Sequence, residues 1–283
     1  MSATEQREAP KAPKAAEAAG ERPRHRTAWI IVAIIGALGI VAPFTFSLVA
    51  DAISKTDAYA SPDNGRPHAV SAVEVDSGAA QISVTTGAAG QVTMSGKLTW
   101  SMKRPVVERT WDGDTLKVHT RCVGFVDEFV QNCQVDLKLT VPAGVRLKVK
   151  SGSGPIKVSN LTGPVDLQGG SGSMKLYGLK GAVRAKVGSG EIQASQLSSS
   201  DAYLKSGSGT VDAEFIAAPQ RVKASAGSGS VSVTVPESAH YRVEGGTGSG
   251  GRSIQKELID NNSDRVLDVS SGSGSATVGY PGF

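Results

Sequence analysis

The stretch SGSGPIKVSNLTGPVDLQGGSGSMKLYGLKGAVRAKVGSGEIQASQ, residues 151–196, says one phrase three times. Gly152-Ser153-Gly154 returns as Gly170-Ser171-Gly172 and as Gly188-Ser189-Gly190. Further copies stand at Gly207-Ser208-Gly209, Gly227-Ser228-Gly229, Gly246-Thr247-Gly248 and Gly272-Ser273-Gly274. The first glycines lie 18, 18, 19, 20, 19 and 26 residues apart. A near-constant period of this length marks a solenoid of stacked rungs.

Outward from each glycine the apolar residues fall into fixed places. Four and six residues after it come Ile156/Val158, Met174/Leu176, Ile192/Ala194, Val211/Ala213, Val231/Val233 and Ala276/Val278. Five and three residues before it come Leu147/Val149, Val165/Leu167, Val183/Ala185, Ala202/Leu204, Val222/Ala224, Tyr241/Val243 and Leu267/Val269. A spacing of two is the strand period. Nine residues after it come Leu161, Leu179, Leu197 and Ile216, the first two opening Leu-x-Gly turns. Each rung is therefore predicted to hold two short strands facing inward, with a Gly-Ser-Gly corner on one side. The fold class is all-β: a parallel β-helix or β-solenoid with about 18–20 residues per rung.

The corner explains the glycines. Two strands change direction within about three residues, and glycine alone enters positive φ freely. Without a Cβ, successive corners also stack at the strand spacing of about 4.8 Å. A phosphate-cradling loop needs a helix start behind it, and here a strand follows every copy. Calcium-binding nonapeptide repeats have half this period and an aspartate that these corners lack.

Residues 69–142 are also β-like and read as a heavier N-terminal cap, leaving 143–283 as the regular solenoid. Val73-Glu74-Val75 and Ile82-Ser83-Val84 alternate around Ser77-Gly78-Ala79, which resembles a degenerate corner. Asp112-Gly113, between Val106-Val107 and Leu116-Lys117-Val118, signals a hairpin. Cys122 and Cys133 are the two cysteines. An even count in an oxidising compartment predicts a disulfide, contributing roughly 3 kcal/mol in the chain-entropy model. No His accompanies them at metal-ligand spacing, and redox pairs usually sit closer together.

The oxidising compartment follows from the N-terminal third. No charge occurs between Arg26 and Asp51. The 24 residues between them, 27–50, form one predicted transmembrane helix, about 36 Å long at 1.5 Å per residue. Arg22, Arg24 and Arg26 precede it, whereas Asp51, Lys55 and Asp57 follow. The positive-inside rule then leaves residues 1–26 as a disordered cytoplasmic tail and puts the rest outside the cell membrane. A cleaved signal peptide is the rival, with small-x-small sites at Ala50-Asp51-Ala52 and Ala58-Tyr59-Ala60. Residues 51–68, containing SPDNGRP, read as a turn-rich linker.

Composition agrees with a thin, layered architecture: 5% aromatic residues and 34 glycines in 283 leave little for one thick core. The net charge of +4 does not argue for nucleic acid.

The phrase VPAGVRLKVKSGSGPIKVSNLTGPVDL with its recurrence, and WDGDTL followed by Cys122 and CQVDLKLTVPAGV, resemble the bacterial DUF4097 family in its actinobacterial, membrane-anchored form. The resemblance covers roughly residues 70–280. It implies a parallel β-helix displayed at the cell surface, labelled an adhesin by analogy, and implies no catalytic site.

The residues themselves favour no enzyme and no cofactor. β-Helix glycan lyases and hydrolases need clustered carboxylates. Asp166, Glu191, Asp212 and Glu214 share no column of neighbouring rungs, and His68, His119 and His240 are scattered. One pair of outward columns stands out. Four residues before the first glycine are Lys148, Asp166, Arg184, Tyr203, Lys223, Arg242 and Asp268. Two before it are Lys150, Gln168, Lys186, Lys205, Ser225, Glu244 and Ser270. Lys148, Lys150, Arg184, Lys186, Lys205, Lys223 and Arg242 form a basic strip. Read plainly it solubilises the sheet; read functionally it binds an anionic envelope polymer, an acidic glycan or a surface protein. The expected function is therefore a tethered binding or adhesion module. The alternatives are a structural or stress-signalling envelope protein working through its tail and, further off, a glycan-active enzyme.

Overall fold

The computed structural model describes residues 30–37, 55–62, 69–88, 90–101, 103–122 and 133–283. The chain divides into two units, Met1–Val49 and Ala50–Phe283. Within the first, residues 30–37 are an exposed helical segment. Among the described residues no helix is long and apolar enough to cross a membrane. The rest of the span at 27–50, and the tail at 1–26, lie outside the described residues.

The second unit is built almost wholly of strands. Chain order begins with β1 (Lys55–Pro62), β2 (Ala72–Ser77), β3 (Ala80–Thr86), β4 (Thr93–Trp100), β5 (Val106–Asp112), β6 (Thr115–Arg121) and β7 (Cys133–Val141). The repeat contributes β8 (Arg146–Ser153), β9 (Ile156–Ser159), β10 (Val165–Ser171), β11 (Met174–Tyr177), β12 (Val183–Ser189) and β13 (Ile192–Leu197). It continues with β14 (Asp201–Ser208), β15 (Val211–Phe215), β16 (Arg221–Ser228) and β17 (Val231–Thr234). It closes with β18 (Arg242–Glu244), β19 (Thr247–Ser249), β20 (Arg252–Ile254), β21 (Val266–Ser273) and β22 (Ala276–Gly279).

Two sheets face each other. Sheet A runs β1-β4-β7-β3-β9-β11-β13-β15-β17-β22-β20, and sheet B runs β18-β21-β16-β14-β12-β10-β8-β2-β6-β5, with β19 also on β21. Pairing is parallel through the repeat, as predicted, and antiparallel where β1 meets β4, β4 meets β7 and β5 meets β6. Alternation sets the faces. In β12, Val183, Ala185 and Val187 are buried at 3%, 0% and 4% exposure, while Arg184 and Lys186 point out. Each buried Val, Leu or Ile contributes about 1.5–3 kcal/mol, and the layer repeats along the stack.

The Gly-Ser-Gly corners stack as expected. Gly172 has φ 117°, and a Cβ there would lie 2.7 Å from the carbonyl oxygen of Gly154 one rung away. Just before the corner a small inward residue helps close the end of the core. Ser206 Oγ donates to the Gly190 carbonyl at 2.9 Å, and Ser271 Oγ to the Gly229 carbonyl at 2.7 Å.

The order of rungs departs from chain order at both ends. The β2/β3 rung sits between the β6/β7 and β8/β9 rungs, so Ser77-Gly78-Ala79 is a working corner inside the stack rather than part of a cap outside it. The β21/β22 rung likewise slots between β16/β17 and the terminal β18–β20 rung. Residues 256–258 form a 3-10 turn, whose Leu258 is buried, on the path between them.

Three sequence expectations change. Part of the predicted linker, Lys55–Pro62, is strand β1, with Tyr59 laid opposite Gly96 of β4. The terminal corner is Gly248-Ser249-Gly250, because β19 pairs Thr247 with Ser271 and Ser249 with Ser273; Gly246-Thr247-Gly248 precedes the bend. Finally, Phe215, not Ile216, stands opposite Leu197 in the core, and Ile216 is 53% exposed. The cause is one extra residue in the earlier rungs, held in the left-handed region at Asn160, Gly178 and Gln196.

Candidate functional site

The outward face of sheet B carries the basic strip. Parallel register lines up Lys117, Glu74, Lys148, Asp166, Arg184, Tyr203, Lys223, Asp268 and Glu244 in one column. The adjacent column reads His119, Asp76, Lys150, Gln168, Lys186, Lys205, Ser225 and Ser270.

Rung interleaving decides which cations are neutralised. Lys148 Nζ lies 3.5 Å from Glu74, which β2 brings alongside. Lys223 Nζ lies 2.6 Å from Asp268, and that bond holds the Lys223 ammonium above the usual lysine range. Arg242 leaves the predicted column: the shifted corner puts Glu244 beside Asp268, and Arg242 Nε binds Glu244 at 3.0 Å. Among the described residues Lys150, Arg184, Lys186 and Lys205 have no salt-bridge partner. Lys186 and Lys205 stand directly opposite each other on neighbouring strands, an arrangement that like charges disfavour.

Tyr203 organises this surplus. The Arg184 guanidinium lies 5.0 Å from its ring centroid and the Lys186 ammonium 5.3 Å, both within cation–π range. Beside the ring is a depression of about 410 Å³ bounded by Arg184, Asp201, Tyr203, Arg221 and Lys223. A second, smaller trough of about 290 Å³ crosses Glu74, Asp76, His119, Lys148 and Lys150, where acids and bases alternate.

Glu74 and Asp76, which β2 interleaves among the lysines, escaped the sequence reading. The signal was present: counting back from Gly78 as a corner puts Glu74 and Asp76 in the two outward columns. The scattered carboxylates divide between the sheets, Asp166 on sheet B and Asp212 and Glu214 on sheet A. Among the described residues no group of His, Cys, Asp or Glu is placed to hold a metal ion. Cys122, just after β6, and Cys133, the first residue of β7, are joined in a disulfide.

The family model described as Toastrack DUF4097 matches residues 130–279. No curated protein matches the sequence. Among solved structures, a "putative cell adhesion protein" from Clostridium sporogenes is 12% identical with a TM-score of 0.36, covering 80% of this chain and 100% of its own. A "putative adhesin" from Parabacteroides merdae is 10% identical with a TM-score of 0.38, covering 79% and 96%. A "putative lipid binding protein" from Parabacteroides distasonis is 13% identical with a TM-score of 0.33, covering 80% and 96%.

Proposed function

The chain belongs to the Toastrack DUF4097 family, and on that premise we propose that it is a non-catalytic binding module, tethered to the cell membrane by residues 27–50 and holding an anionic envelope polymer on sheet B. One observation carries the reading. Among the described residues Lys150, Arg184, Lys186 and Lys205 make no salt bridge, whereas Lys148 and Lys223 on the same face do, and Lys186 and Lys205 are stacked against their mutual repulsion. A face built only for solubility is equally well served by the alternating ladder next to it. A polymer of repeating negative charge relieves that repulsion at several rungs at once.

The test uses the full chain in detergent or nanodiscs with purified anionic wall polymer. Binding is expected to weaken steeply as salt rises. Replacing Lys186 and Lys205 with Ser is expected to cost roughly tenfold in affinity, at about 1 kcal/mol or less per surface charge. Removing the Arg242–Glu244 pair together is expected to change it little. Salt-independent binding, or equal losses from both replacements, overturns the reading.

A further inference from the structure

We propose that the depression beside Tyr203 is a subsite for one carboxylate-bearing sugar residue, making the polymer on this face an acidic polysaccharide; this rests on the reading of sheet B given above. The depression exists because a third outward column changes character there. Along it Arg146 is followed by Pro164 and Ala182, then by Asp201 and Arg221. The two short residues leave an apolar floor between charged walls. At about 410 Å³ it falls within the usual range of small-molecule sites.

Its walls suit a sugar acid better than a plain polyanion. Arg184 is steered by the Tyr203 ring and has no carboxylate within salt-bridge distance among the described residues, so its planar donor fork is ready for a bidentate carboxylate. Arg221 is only loosely engaged, 3.9 Å from Asp201. Asp201 offers an exposed acceptor for sugar hydroxyls. On the other side of Arg184 in register, Asp166 carries a buried Oδ1 without a hydrogen-bond partner. To a dense polyphosphate these two carboxylates are repulsive; to a hydroxylated ring the exposed Asp201 is an acceptor. The floor of Pro164 and Ala182 meets the C–H face of a pyranose, which a phosphate chain lacks. Lys186 and Lys205 then receive the acid groups of neighbouring sugar units, one rung every ~4.8 Å.

The experiment titrates the full chain with three probes: an oligouronate, its methyl-esterified form and inorganic polyphosphate of matched charge. The oligouronate is expected to bind, and esterification to weaken it by at least about tenfold. Arg184→Lys keeps the charge and removes the fork. It and Tyr203→Ala are each expected to weaken oligouronate about tenfold while leaving polyphosphate binding within about twofold. If both anions bind equally and respond alike to the two variants, the sugar subsite is wrong and the polymer-binding face stands. If neither anion binds, both proposals fall.

Discussion

At the residue scale the glycines of the last rung separate two registers. The repeat in the sequence makes Gly246 the first corner glycine, whereas strand pairing gives that place to Gly248. A Cβ on Gly246 would meet nothing within 4 Å, while one on Gly248 would lie 2.6 Å from the Gly272 carbonyl oxygen. Gly250 has φ 135°, and its Cβ would run into Gly274. Gly246→Ala is therefore expected to shift stability by no more than about 1 kcal/mol, and Gly250→Ala to cost about 2–4 kcal/mol, read as a change in urea midpoint. Similar losses for both would restore the register that spacing alone suggests. The glycine count was readable; the two-residue slip was not, because Gly245-Gly246-Thr247-Gly248-Ser249-Gly250 contains the phrase in two frames. Ile216 fails for a related reason. An extra left-handed residue such as Gln196 alters the count without leaving a glycine to mark it.

At the element scale β1 is the surprise. KTDAYASP has alternation too weak to be read as a strand beside SPDNGRP, and its partner β4 lies more than thirty residues on. What holds it is cross-strand: Tyr59 faces Gly96, where a Cβ would come 2.9 Å from the Tyr59 ring, so the missing side chain makes room for the aromatic one. A chain starting at residue 63 loses this end strand and uncovers one edge of β4. It is expected to unfold at lower denaturant than a chain starting at residue 51, and to aggregate more readily through the bared edge. Equal midpoints would mean that β1 contributes nothing to the fold. The same strand bears on processing, since cleavage after Ala60 would fall inside it. Elements of the regular repeat, by contrast, were legible because each one repeats the apolar pattern of its neighbours. The columns of the strip were legible within the repeat, and the acids from β2 were not, because their rung comes from another part of the chain.

At the scale of the whole molecule, two buried phenols tie stability to pH. Burial pushes the Tyr59 and Tyr241 hydroxyls from the ordinary 10 up to about 12, and neither has a hydrogen-bond partner among the described residues. The folded state keeps both protonated where the unfolded chain has released its protons. Their contribution is fully present below pH 10 and is lost as pH rises through about 12. Urea midpoints are expected to fall across that window. Tyr241→Phe removes an unpartnered buried hydroxyl, so it is expected to raise neutral-pH stability by up to about 1 kcal/mol and to make the alkaline fall shallower. An unchanged alkaline slope in that variant would count against the assignment.

The interleaved rungs carry a mechanical consequence. In a coil wound strictly in chain order, a pull on the last strand peels a rung that has a neighbour on one side only. Here the final strands, β21 and β22, are gripped on both flanks, by β16 and β18 in one sheet and by β17 and β20 in the other. A pull on the chain just after β22 must therefore tear two ladders at once instead of unzipping one edge, so this strand is among the hardest places to start unravelling.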